Sequence, residues 1–97
     1  MAIKTIIELQ AKPGRRDELI KAMDNVLASM KEAKGFLGVS RYEVIDNPDS
    51  LIEIAEWDSA EARQKWLEQS MVTGSLNSLM GLLGVPFKAI TVREINS

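Results

Sequence analysis

Neither histidine nor cysteine occurs among the 97 residues, so the commonest general base, the commonest metal ligand and all thiolate chemistry are missing. Proton transfer near neutral pH would then fall to a carboxylate raised by burial, or to a water held by Tyr42 and Asn77. Glu56 is the carboxylate that stands out. On a strand from Leu51 to Trp57 it shares the parity of Ile52 and Ile54 and points to the same apolar face. There it needs a partner, Arg41 or Arg93, or a raised pKa; a structural ion pair near the strand end is the competing reading. Glu53 and Glu56 lie on opposite faces of that strand and form no acid-base pair. Arg41 and Arg93 can pair with Glu43, Glu53 or Glu94, or hold a substrate oxyanion. Tyr42 is either a phenol donor at a pocket edge or a strand aromatic with its hydroxyl in water. Asn77 joins Ser75 and Ser78 in a small polar cluster on an otherwise apolar helix, where such side chains also cap or face solvent. Glycine-rich phosphate loops, serine-nucleophile motifs and metal-ligand clusters are absent from the sequence.

These residues need elements to position them. A first strand runs from Ile3 to Leu9 and ends at Lys12-Pro13-Gly14. A helix follows over about Arg16 to Ala33, where Leu19, Ile20, Met23, Val26, Leu27 and Met30 make one stripe of period 3.6. Gly35 is expected just past its end with positive φ. Phe36 to Ile45 and Leu51 to Trp57 read as an antiparallel hairpin, joined by a turn over Asp46-Asn47-Pro48-Asp49-Ser50. Asp58 or Ser59 caps a second helix that runs to about Gln69, with Glu61 completing a capping box if Asp58 is the cap. Leu76, Leu79, Met80 and Leu83 mark another helical piece, stopped by Gly84-Val85-Pro86, and Phe87 to Ile95 is the last strand.

The order strand-helix-strand-strand-helix-strand predicts an α+β fold, a ferredoxin-like βαββαβ protomer with one antiparallel four-stranded sheet and helices on one side. Residues 1–97 form a single domain, without linker or repeat. Both parities of the hairpin strands carry apolar residues, so the second sheet face needs a cover, and a second copy of the chain is the simplest one. The net charge of -2 shows no basic face for a phosphate backbone, which argues against nucleic acid. No apolar run is long enough to span a bilayer and MAIKTIIELQ lacks the build of a signal peptide, so a cytoplasmic location is expected.

Three segments, GFLGVSRYEV, IEIAEWDSAEA and KWLEQS, resemble the antibiotic biosynthesis monooxygenase domain family, and the resemblance runs from Ile3 to Ile95. It implies a homodimeric α+β barrel with a pocket in each protomer between sheet and helices. Members include cofactor-independent oxygenases of aromatic or quinol-like substrates, heme-degrading enzymes, and proteins without known activity. The heme-degrading branch uses an asparagine, a tryptophan and a histidine; here Trp66 matches, but Ile7 and the neighbourhood of Leu76 stand where the other two would be. That argues against heme, and no cofactor is expected. The resemblance makes Trp66 a pocket wall that stacks on a flat substrate, although its spacing from Ala62 equally suits a core aromatic. Trp57 reads as a plug of the core or of the dimer face. Asn77 lies next to the position at which relatives place a histidine.

The expected site is a largely apolar cavity lined by Ile7, Tyr42, Trp66 and Met80, taking a small hydrophobic or aromatic molecule, with Trp66, Tyr42, Glu56 and Asn77 as candidate catalytic residues. Two function classes remain open. One is a cofactor-free monooxygenase, favoured by the fold and Trp66. The other is a non-catalytic ligand-binding or dimerisation module, favoured by the missing histidine.

Overall fold

The computed structural model describes residues 2–95. Its elements are β1 (Ile3–Gln10), α1 (Arg16–Lys31), β2 (Phe36–Val44), β3 (Asn47–Trp57), α2 (Ala60–Thr73), α3 (Asn77–Gly81) and β4 (Lys88–Val92). The strands form one antiparallel sheet in the order β2-β3-β1-β4, with the longest strand, β3, paired on both sides. This is the predicted α+β, ferredoxin-like arrangement.

The register assigns the paired strand residues to two faces. Toward the helices point the rows Phe36–Trp57–Ile3, Val39–Ala55–Thr5–Thr91 and Arg41–Glu53–Ile7–Ala89, with Leu51 opposite Leu9 at the far end. On this face Leu9, Leu51 and the α1 residues Leu19, Ala22 and Met23 bury one core cluster together with Leu79 of α3. A second cluster joins Ile3, Met30, Ala55 and Trp57. The apolar stripe of α1 thus does what its spacing predicts, closing half of the sheet by hydrophobic burial.

The opposite face carries Tyr42–Ile52–Glu8–Lys88, Ser40–Ile54–Ile6–Ile90 and Gly38–Glu56–Lys4–Val92. Among the described residues no helix lies over it, and Tyr42 and Ile90 are 51% and 60% exposed. Its centre is aliphatic, as expected for a surface that needs a cover.

Several boundaries differ from the sequence expectation for identifiable reasons. The hairpin turn is only Ile45-Asp46, because Val44 already pairs with Asn47 after a register shift. Asn47 to Ser50 are extended: Ser50 pairs with Gln10, and the Ala11 amide donates to the Asp49 carbonyl at 2.8 Å. Pairing with β1 outweighs the turn chemistry of Asn-Pro-Asp-Ser. The cap of α2 is Ser59, whose Oγ accepts from the Ala62 amide at 3.1 Å, and the helix continues beyond Gln69 to Gly74, which closes it with φ +71°. β4 is shorter than expected since only Lys88 to Val92 find partners on β1.

Gly35 holds the return from α1 into β2 with φ +93°. A side chain there would meet Asp58 Oδ1 at 2.5 Å and the Ala62 Cβ at 2.6 Å, so glycine is what lets this corner pack on the start of α2. Among the described residues, no helix is long and apolar enough to cross a membrane.

Candidate functional site

A cavity of about 120 Å³ opens between the helix-facing side of the sheet and the helices. Its floor comes from Thr5, Ile7, Glu53, Ala55 and Ala89; Met23, Val26 and Met30 of α1 form one wall. Arg63, Trp66 and Leu67 of α2 form the other, and Leu76, Leu79, Met80 and Phe87 close the remaining side. The lining is overwhelmingly apolar, with a few polar groups at defined places, the usual build of a small-molecule site.

Two tryptophans shape it. Trp57 is 1% exposed and locked edge-on against Phe36, with ring centroids 5.3 Å apart. Trp66 leans on Trp57 at a centroid distance of 5.8 Å and an interplanar angle of 39°, and its Nε1 donates to Ser29 Oγ at 3.0 Å. The indole of Trp66 is thereby fixed at two points, one apolar and one polar. A fixed aromatic wall offers a face to a flat ligand without losing much rotamer freedom on binding.

Two of the polar groups, Glu53 and Thr5, lie in the floor, while Arg63 stands in the wall. Glu53 is 7% exposed, and Arg41, directly across on β2, donates from Nε to its Oε2 at 3.1 Å. Arg41 also donates through Nη1 to Asp24 of α1. The second carboxylate oxygen of Glu53, Oε1, makes no hydrogen bond among the described residues and, unlike the Thr5 hydroxyl, is not fully enclosed. Burial pushes the Glu53 carboxyl up from its ordinary value and Asp24 adds to that, while the Arg41 hydrogen bond and charge work the other way without cancelling it. For Arg41, burial opposes the charge, yet the bonds to Asp24 and Glu53 raise its pKa still further, so it stays cationic. Thr5 stands one step along the sheet from Glu53, opposite Ala55; it is 1% exposed and its Oγ1 finds no partner among the described residues. A buried hydroxyl without a partner is uncommon and costly.

Of the residues singled out in the sequence, Ile7, Trp66 and Met80 line this cavity. Tyr42 and Glu56 do not: both belong to the open face of the sheet, Tyr42 across from Ile52 and Glu56 across from Lys4. Glu56 makes no ion pair with Arg41 or Arg93 among the described residues, and Arg41 is committed to the opposite face. The parity argument put Glu56 beside Ile52 and Ile54 correctly, but that face is the one the helices leave open, so Glu56 lies away from the cavity. Asn77 is exposed at the start of α3, with its amide backing Gly74, and does not reach the cavity. Trp57 is a core residue that also lines the cavity.

Thr5 was passed over by sequence reasoning, and Glu53 entered it only as a possible partner of Arg41, which it is, and not as a cavity residue. The signal was present: Glu53 interrupts the parity Leu51, Ala55, Trp57, and Thr5 interrupts Ile3, Ile7, Leu9. A polar residue centred in an apolar parity is a buried polar group with something to explain.

A family model described as antibiotic biosynthesis monooxygenase matches residues 2–73. Among solved structures, a variant of SnoaB, a cofactor-independent oxygenase from Streptomyces nogalater, superposes with a TM-score of 0.87 at 16% identity, covering 99% of this chain and 95% of that one. A conserved protein from Methanosarcina mazei Go1 gives 0.86 at 17% identity, with 98% and 94% covered. Rv0793 from Mycobacterium tuberculosis gives 0.84 at 15% identity, with 100% and 98% covered. At such identities these likenesses establish the fold alone. No match was found among curated protein sequences.

Proposed function

The chain belongs to the antibiotic biosynthesis monooxygenase family, and we propose that it is a cofactor-independent monooxygenase acting on a small aromatic or quinol-like substrate held in the cavity under α1 and α2. The observation that carries this reading is the apolar cavity itself, walled by a tryptophan that is pinned at Ser29 and Trp57. The likeness to SnoaB, itself a cofactor-independent oxygenase, supports it.

The chemistry asks little of the protein beyond binding, exclusion of water and a place for one proton. A substrate of the anthrone type loses a proton from its CH2 group to give a stabilised carbanion. The carbanion passes one electron to dioxygen, the radical pair combines into a peroxide at that carbon, and loss of water leaves a carbonyl. One oxygen atom enters the product and the other leaves as water. All four electrons come from the substrate carbon, so no external reductant is consumed. In this scheme Trp66 and Ile7 position the ring, and Met80 and Phe87 shield it at the cavity mouth.

The functional unit we propose is a homodimer in which the open faces of two sheets pack together as an α+β barrel. Ile6, Ile52, Ile54 and Ile90 supply the apolar centre, and Tyr42 and Glu56 become interface residues in this arrangement.

A non-catalytic ligand-binding module is the second reading, favoured by the absence of any histidine. Oxygen uptake with an anthrone, set beside quenching of tryptophan fluorescence by a quinone, separates the two. Uptake well above the enzyme-free rate supports the monooxygenase. Quenching without uptake supports the binding module, and neither response contradicts both.

A further inference from the structure

The cavity floor holds two polar groups that its apolar character does not account for. Thr5 offers a buried hydroxyl with no partner. Glu53 has one oxygen tied to Arg41 and the other unpartnered. Both line the same cavity, and both project from the helix-facing side of neighbouring strands as a diagonal pair. Diagonal neighbours on a sheet have Cα atoms about 7–8 Å apart, close enough for a single ligand oxygen to reach both side chains. The cost of burying the Thr5 hydroxyl is offset once a ligand supplies its missing hydrogen bond, and the same ligand group can bond the free Glu53 oxygen.

We propose that Glu53 and Thr5 form a recognition and proton-accepting pair for a hydroxyl group on the aromatic ligand, so that the cavity selects phenols and quinols over unsubstituted aromatics. The ligand O–H donates to Glu53 Oε1. When the ligand ionises, its proton passes to Glu53, leaving a neutral carboxylic acid and a ligand oxyanion, and the Thr5 hydroxyl donates to that oxyanion. Arg41 holds Glu53 in place through Oε2 and is held in turn by Asp24. The charged groups around Glu53 are therefore Arg41 from β2, Asp24 from α1 through Arg41, and Arg63 of α2 at the cavity wall. Desolvation raises the Glu53 carboxyl, which makes its carboxylate a better proton acceptor than an exposed glutamate.

This inference rests on the reading of the cavity as an aromatic-ligand site, and the test keeps the two apart. Equilibrium dialysis of the whole chain would compare 2-naphthol with 2-methoxynaphthalene from pH 5 to 8, where both probes stay neutral. The wild-type protein should hold naphthol about tenfold more tightly at pH 8, the scale of one hydrogen bond to a charged group. That preference should shrink on acidification as Glu53 takes up its proton. In Glu53→Gln the preference should fall to about threefold or less and lose its pH dependence. Thr5→Val, nearly isosteric, should lower the preference severalfold and carries the test alone if Glu53→Gln does not fold. Equal binding of the two probes by the wild type overturns the proposal while leaving the cavity as a ligand site. So does an unchanged, pH-dependent preference in Glu53→Gln, or, where that variant does not fold, an unchanged preference in Thr5→Val. Failure of both probes to bind at all overturns the cavity reading and this proposal with it.

Discussion

Arg41 and Glu53 stand directly opposite each other on β2 and β3, joined by an Nε to Oε2 hydrogen bond of 3.1 Å beneath the helices. The pair is unequal in exposure: Glu53 is nearly enclosed, whereas a quarter of the Arg41 side chain reaches solvent beside Asp24. Removing the arginine therefore strands a buried carboxylate, while removing the carboxylate leaves an arginine that still has Asp24. Arg41→Met is expected to destabilise the fold by about 2 kcal/mol at pH 8, less than the loss for a fully buried pair. The cost should be smaller at pH 5 than at pH 8, because without Arg41 to hold it down the raised Glu53 carboxyl takes up a proton more readily as pH falls. Urea denaturation at the two pH values checks this, and equal losses at both would contradict it.

The raised pKa of Glu53 has a defined sign for stability. Between its ordinary value and its value in the folded protein, the native state binds more proton than the unfolded chain. Its contribution to stability is therefore full at low pH and is lost as pH rises through the folded value. Glu53→Gln removes that loss, so the variant should gain on the wild type as pH rises from the ordinary carboxylate value to the folded one, and the difference should level off above it. Taking the difference between the two proteins cancels the other carboxylates. A difference that stays flat, or runs in favour of the wild type with rising pH, contradicts the assignment.

The open sheet face makes a separate prediction about assembly. Ile54 sits at its centre, between Ser40 and Ile6. Ile54→Lys would place a charge in the middle of the proposed interface and should convert a dimer into a monomer of 10.8 kDa with the protomer fold intact. Sedimentation velocity at micromolar concentration reads this directly. A wild-type protein that sediments as a monomer, or a variant that remains dimeric, rules the interface out.

Gly35→Ala is expected to be costly although the added group is one methyl. The residue has φ +93°, and the new Cβ would overlap Asp58 Oδ1 and the Ala62 Cβ at the start of α2. Strain and overlap together should cost about 2–4 kcal/mol. Chemical denaturation of the variant measures it, and a loss under half a kcal/mol would show that the corner relaxes freely.

Much of the fold was legible because local signals and packing agree. The α1 stripe, the break at Pro13-Gly14 and the positive φ of Gly35 all follow from residue type and spacing. The site was harder to read, and β3 shows why. Leu51, Ala55 and Trp57 on one parity and Ile52 and Ile54 on the other look almost equally apolar. Periodicity separates the two faces but does not say which one the helices cover. Without that assignment Glu56 and Tyr42, from the open face, were grouped with Ile7 from the covered one, while residues fixed by helix position, Trp66 and Met80, came out at the cavity wall. The stretch from Asn47 to Ser50 was misread for a different reason, since its extended form depends on pairing with β1, a long-range contact that turn propensity does not contain.

The central claim is that the cavity promotes transfer of one oxygen atom from dioxygen to a bound aromatic substrate. The direct measurement is mass spectrometry of the product formed from an anthrone under oxygen-18 gas, with the enzyme-free oxidation rate subtracted. The account predicts enzyme-dependent formation of the quinone carrying one heavy oxygen atom, with the second recovered as labelled water. Formation no faster than the enzyme-free rate, or a quinone whose new oxygen comes from solvent, would contradict it.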